Sequence, residues 1–126
     1  MKYLIIFTFL LICNACSKDL GVNKSDAFAI TNCSKIDKPS NGFAKIKLTA
    51  TNNSGLTLGC WAYIKIKKGN TIIETGSVNF YSLNPGESQI EEAWFSNFDT
   101  HNEYDNADVT LNWTIDSTGY SRHYSF

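Results

Sequence analysis

The chain has 126 residues, 11 of them basic and 12 acidic, for a formal charge of −1. That length holds one domain with a single core and not two, and so even a balance leaves no basic surface for a nucleic-acid partner. From the N-terminus, Met1-Lys2 gives a short positive start, Tyr3 to Ile12 a run of mostly apolar residues, and Asn14-Ala15 a small-residue end. This is the order of a secretory signal peptide, here residues 1–15. A bilayer span takes about 20 apolar residues, and Asn14, Lys18 and Asp19 interrupt the run well short of that.

The stretch "LLICNACSKD" around Cys16 resembles the lipobox of bacterial lipoproteins. The resemblance implies that Cys16 receives a diacylglyceryl group and becomes the first residue after cleavage. Ala15 fits the small-residue position before the cut, whereas Leu11-Ile12 does not fit it before Cys13, which leaves with the signal. At about 0.8 kcal/mol per buried CH₂, two or three acyl chains hold a protein on a membrane without any spanning helix. Ser17 is not the acidic residue that retains many such lipoproteins at the inner membrane, which implies the outer membrane of a Gram-negative cell. Ser17-Lys18-Asp19 is similar to the charged run after the lipid cysteine in surface-exposed Bacteroidetes lipoproteins. Residues 16–25 then read as a tether, small and polar from Leu20 to Ser25.

Removing residues 1–15 leaves 111 residues, of which 10 are basic and 12 acidic, and a domain over residues 26–126. Beyond the lipid site it keeps Cys33 and Cys60, which in an oxidising compartment are expected to form a disulfide. Closing ends 27 positions apart would contribute roughly 3.5 kcal/mol on a chain-entropy model. A first strand is expected from Ala27 to Cys33. In "FAKIKLTAT", Ala44, Ile46, Leu48 and Ala50 share one face and Lys45, Lys47, Thr49 and Thr51 the other. In "CWAYIKIK", Cys60, Ala62, Ile64 and Ile66 oppose Trp61, Tyr63, Lys65 and Lys67. Alternation of period two marks strands with one buried face each. Gly69-Asn70 separates the latter from "TIIETGSVNFY" as a hairpin signal, and Asn84-Pro85-Gly86 is a second turn. Further strands follow near Ser88 to Phe95, Ala107 to Ile115 and Tyr120 to Phe126. About seven short strands, no helical periodicity and no internal repeat give an all-β fold, a single antiparallel Ig-like β-sandwich.

The immunoglobulin signature itself is absent, because Trp61 follows Cys60 directly instead of lying between two distant cysteines. "TATNNSG", then "WAYIKIKKGNTIIE", then "SLNPGES" resemble the FxLYD domains of bacterial secreted proteins and lipoproteins over about Phe43 to Ile115. In that family a strand ends in Asn and Ser, an aliphatic strand leads to a Gly turn, and a later strand follows a Leu-x-Pro-Gly-Glu turn. The resemblance implies a sandwich and a binding or accessory role.

"FDTHNEYDNAD" gathers Asp99, His101, Glu103, Asp105 and Asp108, oxygen ligands of the kind that hold Ca²⁺, but without the central Gly and spacing of an EF-hand loop. A solvated acidic connection accounts for the same residues. His101 and His123 are too few for zinc, so no metal or cofactor is expected. There is no Gly-x-Ser-x-Gly elbow, and Glu91 and Glu92 point to opposite faces of a strand, so no catalytic residue is nominated and no enzyme is expected. The binding candidates are Trp61 and Tyr63, outward by parity with Lys65 and Lys67, joined by Tyr81. Flat aromatics on a sheet stack on sugars or pack on a partner protein, and they also shield a sheet by cross-strand packing. The expected function is a membrane-anchored, non-catalytic envelope module for a protein or glycan partner. The alternative is a small inhibitor or immunity lipoprotein acting through the acidic loop.

Overall fold

The computed structural model describes residues 23–36, 44–95 and 104–126. Cys16 and the expected signal segment, residues 1–15, lie outside these residues. Seven antiparallel strands run in chain order as β1 (Phe28–Ile36), β2 (Ala44–Asn52), β3 (Leu58–Lys68), β4 (Thr71–Leu83), β5 (Ser88–Phe95), β6 (Asn106–Ile115) and β7 (Thr118–Ser125). They form a three-stranded sheet in the order β1-β2-β5 and a four-stranded sheet in the order β4-β3-β6-β7, the seven-stranded β-sandwich expected from the sequence.

The alternation of apolar residues becomes the core directly. On β2, Ala44, Ile46, Leu48 and Ala50 are buried and the residues between them are not. Cys60, Ala62, Ile64 and Ile66 of β3 and Ala107, Val109, Leu111, Trp113 and Ile115 of β6 supply the opposing layer. Phe28, Phe80 and Phe95 fill the space between the sheets, each under 2% exposed. Phe95 fits because β4 carries Gly76 beneath it: a Cβ there would stand 2.9 Å from the ring.

Turns are built where backbone chemistry permits. Gly69 has φ +58° and Asn70 does not share it, so only the first position of this two-residue hairpin is left-handed, as in a II′ turn. At the β4–β5 connection Gly86 has φ +78° and Glu87 N–H donates to the Asn84 carbonyl at 2.9 Å. This turn carries the chain from the four-stranded sheet to the three-stranded one. The β6–β7 hairpin turns tightly on Asp116 (φ 50°) and Ser117 (φ 63°), so β7 begins at Thr118, two residues before the expected start.

Two further differences from the sequence reading matter. Lys24 and Ser25, the last residues of the expected tether, form a 3₁₀ turn with Asp26 (Lys24–Asp26), and Trp113 Nε1 donates to the Lys24 carbonyl at 2.9 Å. Lys24 pairs with Asp116 at 2.9 Å and Arg122 with Asp26 at 3.8 Å. The expected Cys33–Cys60 disulfide is corrected, since both thiols are free. Cys33, opposite Leu48, borders a cavity shared with Ile46 and Ala107. Ala107 pairs with Ile66, six residues along β3 from Cys60, or about 20 Å. Disulfides need Cα atoms within about 7 Å. Even parity of cysteines in a small domain says nothing of which end of a sandwich each occupies.

Candidate functional site

The outer face of the four-stranded sheet follows from β3. Burying Cys60, Ala62, Ile64 and Ile66 turns Trp61, Tyr63, Lys65 and Lys67 outward. Register then sets their neighbours: Trp61 lies between Asn79 of β4 and Asn112 of β6, and Tyr63 between Ser77 and Thr110. On β7, Ser121 stands beside Asn112 and His123 beside Thr110. The aromatic residues therefore sit in a field of amides and hydroxyls. Asn112 Nδ2 donates to the Thr110 carbonyl at 3.1 Å, and Thr110 Oγ1 lies 2.9 Å from His123 Nδ1.

All three aromatic residues nominated from the sequence lie on this face, to different degrees. Trp61 is 48% exposed and Tyr81 is 73% exposed. Tyr63 is half-buried, with Lys65 Nζ 5.8 Å from its ring centroid. Two open depressions flank Trp61. One, about 250 Å³, is bordered by Gly59 of β3 and by Asn79 and Tyr81 of β4. The other, about 320 Å³, is bordered by Asn112 of β6 and by Gly119 and Ser121 of β7. Trp61, Trp113 and Thr114 border both.

The opposite sheet carries an aromatic that the sequence reading did not single out. Trp94 of β5 is 52% exposed, outward by the same parity that buries Ala93 and Phe95. Lys45 Nζ lies 3.5 Å from its ring centroid and 3.6 Å from Glu92, so an internal cation covers that ring. The signal was present in the alternation of "QIEEAWF", where Ile90, Glu92 and Trp94 form one set.

Of the acidic loop, Asp99, His101 and Glu103 lie outside the described residues. Asp105 accepts from the Gly69 N–H at 2.8 Å. Asp108 accepts from Lys67 Nζ at 2.7 Å and from Ser125 Oγ at 2.8 Å. These hydrogen bonds, Lys67 first, hold its carboxyl below the usual carboxylate range. Both carboxylates thus face protein donors. Among the described residues no group of three or more His, Cys, Asp and Glu side chains is placed to hold a metal ion. Burial pushes the Cys33 thiol up to about 11 and the Cys60 thiol up to about 12, so both stay protonated and unreactive near neutral pH.

Fold and face together define an antiparallel β-sandwich domain with a solvent-facing aromatic surface. No family model matches the chain, and no curated protein matches it. Among solved structures it is similar to part of a β-glucosidase from Erythrobacter marinus, at 10% identity and a TM-score of 0.41, over 78% of this chain and 15% of that one. It is also similar to part of β-glucosidase 3B from Thermotoga neapolitana, solved with α-D-glucose, at 15% identity and a TM-score of 0.38, over 79% and 16%. The chain thus spans about a sixth of the length of either enzyme, and likeness at these TM-scores carries no argument about activity.

Proposed function

We propose that this protein is a lipid-anchored lipoprotein of the bacterial cell envelope, in the outer membrane, whose FxLYD-like sandwich is a non-catalytic binding module. The observation that carries the reading is Trp61, half in solvent on the outer face of the four-stranded sheet with Tyr81 across a depression from it. A large aromatic exposed in a polar field adds little to folding, yet supplies much contact area to a partner at small entropic cost. The anchor is Cys16, and the partner is a protein or a glycan of the envelope.

Two measurements test this. Cys16→Ser should move the protein from the membrane fraction to the soluble one and abolish palmitate labelling; retention on membranes rejects the anchor. The purified domain, residues 23–126, should capture an envelope component that the Trp61→Ala, Tyr81→Ala double variant does not. Equal capture by a folded double variant rejects the face.

A further inference from the structure

The trough around Trp61 has a chemistry of its own. The two depressions share Trp61, Trp113 and Thr114 and open toward β4 on one side and β7 on the other. They therefore run across the strands, not along them. Three strand intervals separate β4 from β7, about 14 Å in all, which spans roughly three pyranose rings. No residue lining either depression carries a charge. The polar lining is Asn79, Asn112, Thr114 and Ser121 with the phenols of Tyr81 and Tyr120, amides and hydroxyls that both donate and accept.

We propose, resting on the binding-module reading above, that the ligand of this face is a neutral oligosaccharide laid across the four-stranded sheet with one ring stacked on Trp61. A sugar ring has an apolar C–H face and a rim of hydroxyls that donate and accept at once, and this trough offers one exposed indole, Trp61, since Trp113 beneath it is buried, and groups of both kinds. A peptide docking on a sheet adds as a strand along an edge, at right angles to the trough. An acidic or basic ligand would leave its charge without a counter-charge here, which disfavours it by desolvation. The trough is open because β7 carries Gly119 where it borders the second depression: a Cβ there would meet no heavy atom within 4 Å. A larger side chain at Gly119 therefore fits the backbone and fills the ligand's space.

The test uses mannohexaose, cellohexaose and N,N′-acetylated chitohexaose as neutral probes and hexagalacturonate as a charged one of equal length. At least one neutral probe should shift the amide resonances of Trp61, Asn79, Asn112 and Ser121, and hexagalacturonate should shift none. Trp61→Ala and Gly119→Phe should each weaken that binding at least tenfold with the melting temperature unchanged. Envelope capture separates the two levels of the reading. Capture lost after periodate treatment of the envelope but kept after protease supports the saccharide. Capture lost after protease but kept after periodate, with no neutral probe bound, overturns the saccharide while leaving the module intact as a protein binder. Capture indifferent to Trp61→Ala overturns both.

Discussion

Replacing Asn52 by Ala tests the logic of the fold at its most concentrated point. Asn52 ends β2 and is fully buried, and its side-chain amide is used to capacity. Nδ2 donates to the Leu56 carbonyl at 2.7 Å and to the Leu83 carbonyl at 2.9 Å. Oδ1 accepts from Ser54 N–H at 2.9 Å and Ser54 Oγ at 2.7 Å. Since β2 belongs to one sheet and Leu83 ends β4 of the other, this amide ties the two layers together. Ala would leave Ser54 N–H and the Leu83 carbonyl without these partners, whereas the Leu56 carbonyl keeps Ser54 Oγ at 3.1 Å. Two buried groups orphaned at 1–3 kcal/mol each, eased by water entering from the adjoining loop, give a loss of about 3–4 kcal/mol. That is a large share of the 5–15 kcal/mol typical of a domain. Urea unfolding followed by tryptophan fluorescence should show the midpoint falling with the slope unchanged. Thr51→Ala, one residue earlier and only partly buried on the outer face, should cost far less. A loss below 1 kcal/mol for Asn52→Ala would refute the claim that this amide holds the sheets in place.

Gly76→Val should destabilise by roughly 1–3 kcal/mol through overpacking against Phe95, read from the same urea curves; an unchanged midpoint would mean that the ring has room to move. Thiol titration of unfolded, unreduced residues 23–126 should count both Cys33 and Cys60, and intact mass should not change on reduction. The Asp108 carboxyl is held below its ordinary value of 3.8, so its contribution to stability is present above that pH and fades as pH falls through the lower folded value. Melting temperature scanned from pH 6 to pH 2 should therefore converge between wild type and Asp108→Asn at the acid end; parallel curves would remove this carboxylate from the acid response.

Much of this architecture was legible because a buried sheet face writes itself into the sequence with period two. Strands β2, β3, β5 and β6 follow directly from it, and the outward placement of Trp61 and Tyr63 comes with them, as that of Tyr81 on β4 comes from its parity with Ser77 and Asn79. What alternation cannot carry is pairing across strands. Asn79 and Asn112 flank Trp61 only through register, so the trough, its neutrality and the opening at Gly119 appear only in the folded chain. The Asp116-Ser117 hairpin was illegible for a different reason, because neither residue is the Gly that usually marks a left-handed turn. The misassigned disulfide shows the same limit over a longer range: separation along the chain gives a loop length, not the end of a sandwich. Trp94 was legible by parity, but the lysine that covers its ring is on another strand.

The 3₁₀ turn that joins the expected tether to the sandwich also decides how the domain carries a pull. Tension entering at Asn23 reaches the body first through Lys24, whose carbonyl is held by the Trp113 indole and whose ammonium is held by Asp116. Trp113 and Asp116 belong to β6 and its hairpin, and β6 lies directly beside β3 and Trp61. In the proposed lipid-anchored binding module, force between the anchored segment and a partner gripped at Trp61 would have a short path, from the turn into β6 and across one strand pair. It need not pass through the β1–β2 ladder, so edge strand β1 would be spared the load that its position in the chain would otherwise give it.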